Sequence, residues 1–117
     1  MSALPEQVDV DAEVTAVVMG IHAEQMGCRP ADALTFHDGS VVVTVMSGVL
    51  NLAERRLIGA DRQEELRRAR QLMRSAFALE MRSAVERVTG RRVVALIAAD
   101  ELQADRAVEV FVLDAPV

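Results

Sequence analysis

Apolar residues along the chain repeat first with a period of about 3.6, then about 2, then about 3.6 and finally about 2 again, and each change marks a new element. From Asp9 or Asp11 onward, Val10, Val14, Val17, Val18 and Ile21 fall three and four apart. This predicts an amphipathic helix, ended by Gly27 with Pro30 beyond it as a stop. "ALTFH" and "SVVVTVM" flank Asp38-Gly39, a pair that supplies the positive φ angles a tight turn needs, so a β-hairpin is expected there. In "NLAERRLI", Asn51 precedes Glu54 by three residues. The Asn51 side chain accepts from the first free N–H groups of a helix while Glu54 reaches back to the Asn51 N–H, a variant of the capping box. Gly59 closes that short helix, and Asp61 with Glu64 repeats the device for a second start. The longest feature follows, with Leu66, Ala69, Met73, Phe77, Met81, Ala84, Val85 and Val88 along one stripe. At roughly 42 Å it exceeds the diameter of about 30 Å expected for a small domain, which predicts an overhang or packing on another subunit. Gly90 ends it, and "VVALIAA" and "AVEVFVL" read as two further strands around the loop "DELQADR".

The order helix, hairpin, short helix, long helix, hairpin is an α+β pattern, with a four-stranded, mainly antiparallel sheet and helices packed on it. Residues 1–8, with Pro5 and no periodicity, read as a disordered terminus, and 9–117 as a single domain. Both alternate faces of "SVVVTVM" and "VVALIAA" are largely apolar, unusual for a sheet half exposed to water. Either the N-terminal helix covers the second face or a twin subunit does.

Composition narrows the chemistry. There is no Trp or Tyr and only three Phe, so the core is expected to be aliphatic and aromatic stacking on bases or sugars is poorly supported. All 13 basic residues are arginine, which excludes Schiff-base lysine chemistry. The net charge of −5 hides an asymmetry, since residues 61–92 hold nine Arg against five acids while the rest holds four against thirteen. One basic helix on an acidic body is expected. No apolar run approaches the roughly 18 residues that span a bilayer, and the acidic start lacks the blocks of a signal peptide. A cytoplasmic protein is therefore expected, in keeping with the lone Cys28, which has no internal disulfide partner.

Candidate reactive groups mostly have structural readings. Glu54 is better explained by the N–H groups it satisfies than by acid–base chemistry. His22 flanks the first helical stripe and reads as a core-edge histidine. His37 beside Asp38 lacks the further histidines a metal-dependent phosphohydrolase needs, and reads as part of the turn. Asp100, Glu101 and Asp105 lack the alternating ligands and turn glycine of a calcium loop and read as a solvated loop. With no nucleophile motif, no zinc spacing, no Walker loop and no GxGxxG, the expectation is no enzyme, no metal and no cofactor. Arg67, Arg74 and Arg82 share a polar stripe that could dock an acidic partner. The acidic total and the missing aromatic readers argue against nucleic acid.

"GCRP", "SGVLNLAERRL", "VERVTGRRV" and "VFVLD" together resemble the MpsC family of small bacterial proteins across about residues 10–114. The resemblance is carried by Gly27, Pro30, Gly48, Leu50, Glu54, Leu57, Thr89, Gly90, Val93, Phe111 and Leu113. Asn51 stands where the family usually has Thr, and both residues cap helices. The family name refers to a sodium-translocating, membrane-potential-generating system. The resemblance implies a soluble accessory or regulatory subunit acting through protein contacts, with a homodimer expected from the apolar sheet. A small-ligand sensor with a pocket between sheet and helices is the alternative.

Overall fold

The computed structural model describes residues 9–117, and the expectation for residues 1–8 lies outside them. Seven elements follow in order: α1 (Val10–Met26), β1 (Asp32–Asp38), β2 (Val41–Ser47), α2 (Leu52–Gly59), α3 (Gln63–Thr89), β3 (Val93–Glu101) and β4 (Arg106–Leu113). The four strands form one antiparallel sheet in the order β1-β2-β4-β3. The predicted α+β architecture and element order hold.

Local chemistry sets the element ends. The Asp9 carboxylate accepts from the Ala12 N–H at 3.1 Å to start α1, and Gly27 ends it at φ 69°. Gly90 ends α3 in the same left-handed conformation, which a side chain would strain. The β1–β2 turn lies one residue later than the sequence suggests. Asp38 pairs with Val41, leaving Gly39-Ser40 at its tip with a positive φ at Gly39, as in a type II′ turn. Asp61 does not cap α3. It takes a left-handed φ of 62° in the α2–α3 turn, and Arg62 begins α3 without a side-chain cap.

Both α1 and α3 pack on the same side of the sheet. Val14, Val18 and Ile21 from α1 and Phe77, Met81, Ala84 and Val85 from α3 meet Val42, Met46, Phe111 and Leu113 from the strands. Leu66, Phe77, Met81, Ala84 and Val85 of the predicted stripe are buried, and the stripe departs from expectation only in its middle. Ala69 and Met73 are exposed, and Arg70 and Arg74 occupy the inward positions. Between Leu66 and Val85 the chain's own elements bury the inward positions of α3.

The other face of the sheet is apolar and no described residue packs over it. Leu34 and Phe36 of β1, Val41, Val43 and Val45 of β2, Val108, Val110 and Val112 of β4 and Ala95, Ile97 and Ala99 of β3 all share this parity. Leu34 is 66% exposed, Ile97 60% and Phe36 50%. Of the two covers expected for this face, α1 is excluded, because it lies on the opposite side.

Candidate functional site

The polar groups that α3 turns inward meet three carboxylates from separate elements. Leu66, Phe77 and Met81 fix the rotation of α3, and that rotation carries Arg70 and Arg74 beneath the sheet. Arg70 is fully buried. Its Nη1 donates to Glu54 Oε2 at 2.8 Å and its Nη2 to Asp100 Oδ1 at 3.1 Å. Arg74 grips Asp100 with two parallel bonds, Nε to Oδ2 at 3.1 Å and Nη2 to Oδ1 at 2.7 Å, and its Nη1 donates to Glu109 Oε1 at 2.8 Å. His22 Nε2, from α1, lies 3.2 Å from the same Glu109 oxygen, and its ring meets Phe77 edge-on at 5.9 Å. The result is a buried ladder, Glu54–Arg70–Asp100–Arg74–Glu109–His22, which ties α2, α3, β3, β4 and α1 together.

A hydroxyl chain continues the polar band. Thr15 donates to Thr35 at 2.7 Å, and Thr35 and Thr44 are 2.8 Å apart. Thr44 is the register partner of Glu109, so chain and ladder share one row of the sheet's inner face.

Electrostatics follow from this geometry. Burial alone would raise the Asp100 pKa, but hydrogen bonds and charge from Arg74 and Arg70 outweigh it and hold the carboxyl below its usual value. Burial likewise favours neutral Arg74, and Asp100 with Glu109 reverse that and raise its pKa further. The carboxylates are thus committed to guanidinium partners, which opposes their acting as free bases toward a substrate. Arg70 Nε, Glu109 Oε2 and Gln63 Oε1 are buried without a partner among the described residues. The ladder nears the surface at a depression of ≈ 260 Å³ lined by Arg67, Gln71, Arg74, Ala98, Ala99 and Asp100. Among the described residues, no group of three or more His, Cys, Asp or Glu side chains is arranged to hold a metal ion.

Glu54 does two jobs at once. Its Oε1 accepts from the Asn51 N–H at 3.0 Å and the Asn51 side chain accepts from the Glu54 N–H at 2.8 Å, completing the predicted capping box, while Oε2 holds Arg70. The corner before it is held from a distance. Asp105, at a left-handed φ of 52°, accepts from the N–H groups of Val49 at 2.7 Å and Leu50 at 2.9 Å. Its carbonyl accepts from Gly48 N–H at 3.0 Å. Two acids read as members of a solvated loop are therefore structural, Asp105 at this corner and Asp100 in the ladder, because both project back toward the core.

The remaining predicted positions are dispersed. Pro30 and Leu50 are buried, Leu57 is exposed, and Gly48 takes a φ of 64° against Ala31. The Thr89 hydroxyl donates to the Val85 carbonyl at 2.8 Å and accepts from the Arg91 N–H at 3.2 Å. Arg67, Arg74 and Arg82 do not form one open basic face: Arg74 is turned into the ladder and Arg67 bonds Glu64 at 2.7 Å. The Glu86 carboxylate accepts from the Val93 N–H at 2.8 Å.

No helix among the described residues is long and apolar enough to cross a membrane. Neither a curated protein nor a solved structure matches the chain. A family model does, over residues 6–115 and so nearly the whole sequence, and the chain accordingly belongs to the MpsC family, described as the Na+-translocating membrane potential-generating system (MpsC).

Proposed function

We propose that the chain is a non-enzymatic accessory or regulatory module of a membrane-potential-generating system, working in the cytoplasm through protein contacts. The observation that carries this reading is the exposed apolar face spanning all four strands. Large uncovered apolar patches favour association. The charged groups of the interior support it from the other side, since they are spent on one another. A second apolar ridge, with Leu72 68% and Leu79 76% exposed on the solvent side of α3, offers a place for a subunit of the system.

In-cell cross-linking of the tagged chain, followed by capture from the membrane fraction, tests this reading. The expected result is recovery of ion-translocating membrane subunits, reduced by a Leu72→Glu/Leu79→Glu variant. Capture of no such subunit, with an unchanged membrane potential in a deletion strain, refutes it. The non-enzymatic part is tested separately: a folded Glu109→Gln variant should restore the membrane potential of that strain, whereas loss of function with the fold intact would indicate catalysis.

A further inference from the structure

The outer sheet face carries a knob and a hole in the same row. Across the sheet that row reads Leu34, Val45, Val108, Ala99, from one edge strand to the other. Leu34 stands out from β1, largely exposed. At the opposite end is a depression of ≈ 230 Å³ lined by Val45, Ala99, Arg106 and Val108 among others. Leu34 lies on the edge strand β1, and the depression opens over β4 and β3 and reaches back to Val45 of β2.

We propose that this face is the interface of a two-fold homodimer whose axis runs parallel to the strands, with Leu34 of each copy seated in the depression beside Ala99 of the other. The inference deepens the reading of the chain as a contact module and rests on it. A two-fold axis in that direction reverses the strand order between facing sheets. Leu34 then meets Ala99, Val45 meets Val108, and in the next row Phe36 meets Ile97 and Val43 meets Val110. Larger residues of β1 oppose smaller or narrower ones of β3. Facing sheets pack about 10 Å apart with strands within about 30° of alignment, the geometry of a sandwich core.

Charge selects the same axis. The row at one end of the face reads Asp32, Ser47, Arg106, Glu101. With the axis along the strands, Asp32 faces Glu101 of the other copy and Asp38 faces Ala95, while Arg106, facing Ser47, lies beside both acids of the Asp32–Glu101 pair at the solvated rim. An axis across the strands sets Asp32 against Asp38 and buries Arg106 on Val112 and Glu101 on Ala95. Both arrangements set two acids opposite each other and one acid on Ala95, but this one carries Arg106 away from the facing acids and leaves it unpaired on an apolar neighbour. The strand spacings give the face a flat area of about 450 Å². Side-chain relief adds to this on both copies, placing the pair near the lower bound of about 1,000 Å² for a specific interface.

Sedimentation equilibrium on the purified full chain tests the proposal without any other component, so its outcome is independent of the membrane-fraction capture. The expected mass is twice the 12.7 kDa of one chain. Leu34→Ala should raise the dissociation constant at least about tenfold, the scale of a hot-spot truncation. Ala99→Arg should give monomers with an unchanged far-ultraviolet dichroism spectrum, and Ile97→Glu provides a second route to monomers should Ala99→Arg fail to fold. Combining Leu34→Ala with Ala99→Leu exchanges knob and hole and should recover part of the affinity. A wild-type monomer at high protein concentration overturns the proposal. So does a dimer that survives Ala99→Arg or Ile97→Glu, or one lost only in Leu72→Glu/Leu79→Glu, which would assign self-association to α3.

Discussion

Glu54 joins local and long-range stabilisation in one side chain, since one oxygen caps α2 and the other holds buried Arg70. Glutamine can keep the capping bond with its one oxygen, but its NH2, a donor, then faces the Arg70 guanidinium in place of a charged acceptor. Glu54→Gln is expected to cost about 1.5–3 kcal/mol, the range for hydrogen bonds to charged groups. Glu54→Ala leaves Arg70 short of a counter-ion and should cost about 3–5 kcal/mol. Urea denaturation of the two variants separates the cap from the ion pair. Gly48 is the other residue with little freedom. A Cβ there would sit 2.5 Å from the Ala31 Cβ, on a backbone with φ 64°. Gly48→Ala should therefore lose at least about 2 kcal/mol, from the left-handed penalty and the forced shift together, read as a lower urea midpoint.

Helix α3 and the C-terminal hairpin are clamped mainly through Asp100. Its folded-state pKa is depressed below the ordinary aspartate value of 3.8, so the clamp contributes fully above about pH 4 and is lost as pH falls through the folded pKa. Wild-type stability should fall on that acid limb, and Asp100→Asn should be less stable near neutrality with a flatter acid limb, measured by thermal melts from pH 7 downward. The elements themselves were legible in the sequence, because capping residues, glycines and changes of period are local signals. Asn51, Glu54, Gly27 and Gly90 show this. The ladder was not legible, for a physical reason. Ala69 and Met73 continue the apolar stripe of Leu66 and Phe77, whereas Arg70 and Arg74 interrupt it, and the carboxylates that pair the two arginines come from distant elements that no local pattern announces. Glu109 left a fainter trace: it shares the parity of buried Phe111 and Leu113, but Val108, Val110 and Val112 make the opposite parity equally apolar.

At the scale of the molecule, β2 and β4 are the only strands among the described residues with a neighbour on each side, and they are paired with each other along their full length. Amides of these two strands should exchange most slowly with solvent, and those on the outer edges of β1 and β3 faster, in a hydrogen-exchange measurement. The partnership joins the first hairpin to the last strand, and Asp105, between β3 and β4, holds the corner where α2 begins. The same short C-terminal stretch therefore brings the central partner of β2, the Glu109 rung and the anchor of that corner. Seen as a sequence of events during synthesis, nearly the whole chain must leave the ribosome before β2 loses its open edge. A fragment ending at Glu101 should remain partly exchange-labile and prone to self-association, and adding residues up to Leu113 should close the structure in a single cooperative step. In a chain built this way, β4 decides when the rest of the fold can close.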